Sequence, residues 1–394
     1  MTDLRLQLEE LLAESVDAAR CREQSAFDTN LPAHRQPILF GAGNLGRKTL
    51  RGLRAAGITP RAFVDNNSAI WGKEIDGVPV WSPVEAAARY GDSVTFIMTI
   101  WRGEGTDTMA ERCQPLVDLG CRHIINFGQV FWKYPEVFLP HYSFDLPHKV
   151  LEQADEVRRA FELWADDASR AEYVAQIRWR LHLDFDGLPR PVKHPIYFPD
   201  DLYAIAAVDR FVDCGAFDGD TLRTFLARAG ERFDKVFAFE ADPANFAKLR
   251  DYVAKLPAGL GDKVEVFDCA VGARDGQVFF DATGTEASAV GASGLAIDCK
   301  RLDHVLADRA PTWIKMDIEG SELDAIEGAS GLLATSAPIL AVCVYHRQDH
   351  LWRAPLMIQA LRSGYQFFLR PHLLESWDLL CYAVPPTRLQ GRRA

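Results

Sequence analysis

The chain has 394 residues, 48% apolar and 25% charged, with a net charge of −11. That is the balance of a soluble globular protein of two to three domains; it excludes wholesale disorder, and so acidic a chain has no global attraction for nucleic acid or anionic lipid. No apolar run reaches the ~18 residues of a membrane span, the first ten residues lack a signal-peptide pattern, and the cysteines form no C-x-x-C pair, which together point to a reduced, cytoplasmic protein.

Leu4, Leu8, Leu11 and Leu12 recur at helical spacing and predict one amphipathic lead-in helix over 3–20. The run Gln36-Pro-Ile-Leu-Phe-Gly-Ala-Gly-Asn-Leu-Gly46 reads as a short strand, a glycine turn and a helix over 45–56. Strands are expected at 61–65, 94–99 and 122–127, with helices opening at Pro83 and running over 107–119. Strands alternating with helices imply right-handed crossovers and a parallel sheet.

Between 135 and 199 the pattern turns helical. Val157, Phe161 and Trp164, then Val174, Ile177 and Leu181, mark two apolar stripes, and Ser169-Arg-Ala-Glu172 has the spacing of a capping box. Prolines 189, 191, 195 and 199 close this segment. A second strand–glycine–helix unit follows at Arg210-Phe-Val-Asp-Cys-Gly-Ala-Phe-Asp-Gly-Asp220. Later strands are expected at 235–240, 264–269, 277–280, 313–317 and 339–345, with 365–370 and 379–384 as an antiparallel hairpin closing the sheet. The expected organisation is an α/β chain of two Rossmann-like domains, 1–135 and 200–394, joined by a helical connector over 136–199.

Ligands bind an open parallel sheet beyond the carboxyl ends of its strands. Asp213, Gly215, Ala216 and Gly219 fall there, as do Glu240 at the next strand tip and Asp268 and Cys269 at the third. An acid in the place of Glu240 accepts both hydroxyls of an adenosine ribose, and the region of Asp268 and Cys269 suits an adenine edge. The fourth tip, Ile314-Lys-Met-Asp-Ile-Glu-Gly320, carries Asp317 and Glu319, and His346 ends the neighbouring strand. Carboxylates at consecutive tips suit a cation bearing a ribose, such as S-adenosylmethionine, better than a dinucleotide phosphate. Taken singly, Asp213 as a helix cap, Glu240 as a solvated strand end and His346 as a hydrogen-bonded sheet-edge histidine remain open.

With Ala270-Val-Gly-Ala-Arg-Asp-Gly276 and Val344-Tyr-His-Arg-Gln-Asp-His-Leu-Trp352, these motifs resemble the FkbM-type S-adenosylmethionine-dependent methyltransferases over about residues 197–385. The resemblance implies a seven-stranded methyltransferase sheet and methyl transfer to an oxygen, often on a sugar of a natural product or surface glycan. It carries cofactor binding to Asp213, Gly215 and Glu240. The family commonly has Asp where this chain reads His350, and the spacing around Asp349 and Trp352 predicts a loop there. Asp317, Glu319 and His346 are the candidates for activating the acceptor oxygen. A metal held by the same three is a weaker alternative, so no metal is assigned.

In the first half, Gly41, Gly43, Asn44 and Gly46 form a G-x-G-x-x-G turn between strand and helix, and Asp65 stands at the next strand tip. Phe63-Val-Asp-Asn-Asn67 and Gly72-Lys-Glu-Ile-Asp-Gly-Val-Pro-Val80 resemble the nucleotide-sugar-binding N-terminal domains of sugar acyltransferases and polysaccharide-biosynthesis proteins. That resemblance implies a nucleotide or nucleotide-sugar ligand; a purely structural Rossmann module is the alternative. The reading is a cytoplasmic O-methyltransferase of a small-molecule or glycan acceptor, with no nucleic-acid partner and no membrane span, and with homo-oligomerisation left open. An NAD-dependent oxidoreductase or epimerase of sugars, and a non-catalytic nucleotide-sugar-binding module, are the competing classes.

Overall fold

The computed structural model describes residues 2–285, 289–291 and 293–390, so the ends of both expected terminal domains, Met1 and 391–394, lie outside the described residues. The chain divides into two compact units: 1–154, 171–190 and 373–377 in the first, and 155–170, 191–372 and 378–394 in the second. The helical segment 136–199 is therefore no body of its own. Its apolar stripes are shared out between the two units, with Trp164 in the core of one and Trp179 in that of the other. Among the described residues no helix is long and apolar enough to cross a membrane.

The first unit opens with two helices, Thr2–Leu12 and Val16–Asn30, where periodicity predicted one. Ser15 divides them by leaving helical geometry and accepting the Ala18 N–H. Six strands follow: β1 (Gln36–Phe40), β2 (Phe63–Val64), β3 (Glu74–Ile75), β4 (Val78–Trp81), β5 (Val94–Met98) and β6 (Ile124–Asn126). Their order is β3-β4-β2-β1-β5-β6, parallel except for the β3–β4 hairpin. The strands β1 and β5 at the centre are apolar and buried almost throughout, the pattern of a parallel sheet covered on both faces. The strand order switches sides between β1 and β5, and Gly41 lies at that point, against the end of β5.

In the second unit the strands are β7 (Arg210–Cys214), β8 (Lys235–Phe239), β9 (Val264–Phe267), β10 (Ala270–Val271), β11 (Gly276–Asp281), β12 (Ala289–Gly291), β13 (Leu295–Lys300), β14 (Trp313–Met316), β15 (Ile339–Cys343), β16 (Gln366–Pro371) and β17 (Leu379–Val384). Seven of them make one sheet in the order β16-β17-β15-β14-β7-β8-β9. The last strand, β17, runs antiparallel between β15 and β16, as the hairpin reading anticipated. The expected strand at 277–280 departs from that plan: it lies in β11, within a separate sheet ordered β10-β13-β11-β12. Its residues alternate between exposed and covered, a pattern that one buried face produces.

The capping-box reading of Ser169 and Glu172 is corrected. Helix Asp167–His182 begins two residues earlier, and the Asp166 carboxylate accepts the Ser169 N–H at 2.8 Å. The Ser169 hydroxyl instead accepts from Leu369 N and Arg370 Nη1. Glu172 is buried and takes a hydrogen bond from Gln176.

Candidate active site

The glycine loop after β7 is built around close backbone approach. A Cβ on Gly215 would fall 1.9 Å from the Asp317 carbonyl oxygen, and its φ is +79°. The loop therefore lies directly on the tip of β14, at the point where strand order reverses. Gly219 follows at φ +92° and starts helix Asp220–Ala229. Beneath the loop, Asp213 on β7 faces Lys315, its register partner on β14. Both side chains are buried, with Lys315 Nζ 3.0 Å from Asp213 Oδ1. The same ammonium donates to the Gly215 carbonyl at 2.6 Å. Burial works against the charge on Lys315, but the carboxylates of Asp213, Asp317 and Asp220 outweigh it and raise its pKa.

Glu240 stands just beyond β8. Its Oε2 accepts the Phe217 N–H at 2.8 Å and its Oε1 the Asp242 N–H at 2.7 Å. Burial pushes its carboxyl up to about 7, against the pull of these two amides. Asp242 caps helix Pro243–Val253 by accepting from Ala244 and Asn245. At the third tip Asp268 is exposed, and Cys269 is buried with its thiol pushed up to about 12 by burial.

The tips of β14 and β15 carry a cluster of polar side chains. Asp317, Glu319 and His346, named as one candidate set from the sequence, lie together here, their ligand-type atoms all within 4.8 Å of one another. His346 Nε2 lies 3.5 Å from Asp317 Oδ1 and 3.4 Å from Glu319 Oε1. On its other nitrogen, Nδ1 is 2.7 Å from Oε1 of the buried Glu322. Glu322 Oε1 also accepts the Ile318 and Gly320 N–H groups, so one carboxylate shapes the turn and grips the imidazole. Glu319 itself has a φ of +52°, a left-handed conformation that a non-glycine residue adopts at a cost.

Burial opposes a charge on His346, yet the neighbouring Glu322 and Glu319 raise its pKa well above the usual value. Burial likewise opposes ionisation of Glu322, and His346 and His350 reverse it, holding Glu322 well below the carboxylate range. The expected loop at His350 is replaced by the start of helix His350–Leu361. There its Nδ1 comes 3.1 Å from Glu322 Oε2, so two histidines bracket one buried acid.

Four residues of this centre escaped the sequence reading: Tyr197, Lys315, Glu322 and His350 in its present role. Tyr197 lies 185 residues before Tyr382, whose hydroxyl accepts its N–H, and its own hydroxyl donates to Asp317 Oδ2 at 2.5 Å. No local pattern marks it. Lys315 and Glu322 did carry a signal, a lone charge within an apolar strand and a third acid after Asp317 and Glu319.

In the first unit, Gly41 (φ +114°) and Gly46 make the strand–helix contact: a Cβ on Gly46 would meet the Gly41 oxygen at 1.9 Å. Gly43 and Asn44 are exposed at the start of helix Asn44–Ala55, with no atom within 4 Å of a Cβ placed on Gly43. Asp65 accepts the Ala42 N–H through Oδ2 and the Asn67 N–H through Oδ1, both at 2.8 Å.

Residues 213–367 match the family model described as the Methyltransferase FkbM domain. The crystal structure of methyltransferase FkbM from Methylobacillus flagellatus KT superposes with a TM-score of 0.78 at 23% identity, covering 96% of this chain and 100% of that one. A putative rRNA-methylase from Clostridium thermocellum aligns over 46% of this chain and 89% of its own, at 12% identity and a TM-score of 0.30. No curated protein sequence matches the chain.

Proposed function

From the FkbM methyltransferase domain that residues 213–367 form, we propose that the second unit transfers a methyl group from S-adenosylmethionine to a hydroxyl oxygen of a carbohydrate acceptor. The observation that carries the cofactor assignment is the setting of Glu240. Two backbone amides orient its carboxylate beside the Gly215 loop, and each oxygen keeps a further lone pair for a ribose hydroxyl. Asp213 is fully buried and paired with Lys315, so its part is to fix the loop from below. The sulfonium finds Asp317 and Glu319 at the adjacent tip.

Transfer is an in-line displacement: the acceptor oxygen attacks the methyl carbon, the carbon–sulfur bond breaks, and S-adenosylhomocysteine leaves. The hydroxyl proton passes to the Asp317–Glu319–His346 cluster. Most of the catalysis is the holding of oxygen, carbon and sulfur in line. The carbohydrate class rests on the sequence resemblances of both halves. The test is calorimetric titration with S-adenosylhomocysteine, followed by mass spectrometry of a panel of sugar acceptors incubated with S-adenosylmethionine. No binding to the folded protein sinks the cofactor assignment, and binding without methylated sugar sinks the acceptor class.

One observation favours a nucleoside ligand for the first unit as well. Asp65 and Glu240 each accept one amide from their own glycine loop, 23 residues upstream in both cases, and one amide two residues downstream. The first unit thus repeats the ribose-binding arrangement inferred for the second. A nucleotide-sugar fits the role of presenting the carbohydrate, and thermal shift with UDP-, GDP- and dTDP-sugars beside NAD tests it.

A further inference from the structure

We propose that Asp317, Glu319 and His346 bind a divalent transition-metal ion at the carboxyl ends of β14 and β15. Three features on different elements support it. Cation–ligand bonds of about 2.1 Å at tetrahedral or octahedral angles put neighbouring donor atoms roughly 3.0–3.4 Å apart. His346 Nε2 already stands 3.5 Å from Asp317 Oδ1 and 3.4 Å from Glu319 Oε1.

The second feature is the orientation of the imidazole. Buried Glu322 holds Nδ1 at 2.7 Å, which turns Nε2 toward the two carboxylates. Metal-ligating histidines are held by an outer carboxylate in this way, and Glu322 is itself committed to the Ile318 and Gly320 amides. Tyr197 does the same for the first acid: it occupies Oδ2 of Asp317 and leaves Oδ1 for the ion.

Third, the site is closed behind and open in front. The His346 side chain is 1% exposed, whereas Asp317 and Glu319 are 23% and 20% exposed. One Nε2 proton bridges a single carboxylate well; a doubly charged ion satisfies both. Two carboxylate oxygens and one imidazole nitrogen form a donor set that manganese and zinc accept. Lys315 is engaged by Asp213 and the Gly215 carbonyl, and Arg347 lies against Gly320 with an exposed side chain. In the methyl-transfer reading the open side takes the acceptor hydroxyl; that placement rests on the reading, while ion binding stands without it.

The test is titration of the full chain with Mn²⁺, read by loss of the free-ion electron paramagnetic resonance signal. One ion per chain is expected, removable by chelator, with hyperfine coupling to an imidazole nitrogen. Affinity should fall at least tenfold in Glu319→Gln and in His346→Gln. Binding weaker than about 1 mM, or a bound ion without nitrogen coupling, overturns the site. The coupling is read on the unaltered chain, so a variant that fails to fold leaves the answer intact. Titration with S-adenosylhomocysteine in parallel separates the two ideas: its binding without Mn²⁺ removes only the metal, and Mn²⁺ binding without it removes only the cofactor reading.

Discussion

Lys315 meets Asp213 across the β7–β14 seam, Nζ to Oδ1 at 3.0 Å, with both side chains withdrawn from water. Parallel register sets them opposite each other, and the ammonium also holds the Gly215 carbonyl. The pair therefore ties the floor of the site to the loop above it. Replacing one member strands the other charge in a buried setting. Lys315→Met is expected to cost ~3–5 kcal/mol in urea unfolding, and the double change with Asp213→Asn to recover part of it. A single variant as stable as the native chain would show that the pair carries no such coupling.

Two glycines with positive φ separate strain from space. Gly230 (φ +59°) has nothing within 4 Å of a built Cβ, so Gly230→Ala should lose only ~1–2 kcal/mol of backbone preference. Gly215→Ala adds a collision with the Asp317 carbonyl oxygen at 1.9 Å. It should melt well below Gly230→Ala and lose S-adenosylhomocysteine binding. Equal melting temperatures would contradict the close approach of the two loops.

Cofactor affinity should depend on pH through Glu240. Burial sets its carboxyl at about 7, so below that value it is protonated and a poorer acceptor for ribose hydroxyls. Calorimetry with S-adenosylhomocysteine should show affinity rising roughly tenfold from pH 6 to pH 8 and then levelling. In Glu240→Gln the rise should vanish, with affinity at least tenfold lower at pH 8. The same shift has an opposite sign for stability: the folded chain holds this proton more tightly than the unfolded one, so Glu240's contribution declines as pH rises toward 7.

His346→Ala should lower single-turnover methyl transfer by ~10²–10⁴ while S-adenosylhomocysteine affinity stays near native. The substitution also leaves Glu322 facing His350 alone, so the melting temperature should drop. A native rate would reduce His346 to support for the turn at Gly320.

Asp65→Ala removes the acceptor of the Ala42 and Asn67 amides in the first unit. Any nucleotide-induced thermal shift should disappear with it, while S-adenosylhomocysteine binding persists. A shift that survives would place the ligand away from this loop.

Much of the architecture was legible along the chain because it rests on local rules. Apolar runs bounded by glycine turns and alternating with helices specify buried strands, and eleven of the twelve expected ones took their places in the two large sheets. The exception, at 277–280, has the right local propensity but a face that water touches, which sent it to the smaller sheet. The β3–β4 hairpin was missed because its strands are only two and four residues long. Local spacing misled at Ser169, where a hydroxyl with the right neighbours for a cap is held by Leu369 and Arg370 some 200 residues away.

The sequence by itself determined the strand–glycine–helix units, the acids at the strand tips and the candidates Asp317, Glu319 and His346, since strand ends and turn chemistry depend on near neighbours. Only the tertiary structure decided what those groups face. Lys315 is a lone charge in an apolar strand whose partner appears only when β7 lies beside β14; Tyr197 has no local mark until its hydroxyl reaches Asp317; Glu322 is one more acid until two histidines close on it. The charge a buried group keeps depends on partners brought together by folding, since loss of water penalises it and only a nearby opposite charge or hydrogen bond restores it. Those partners here lie between 24 and 120 residues apart in the chain, beyond the reach of any spacing rule.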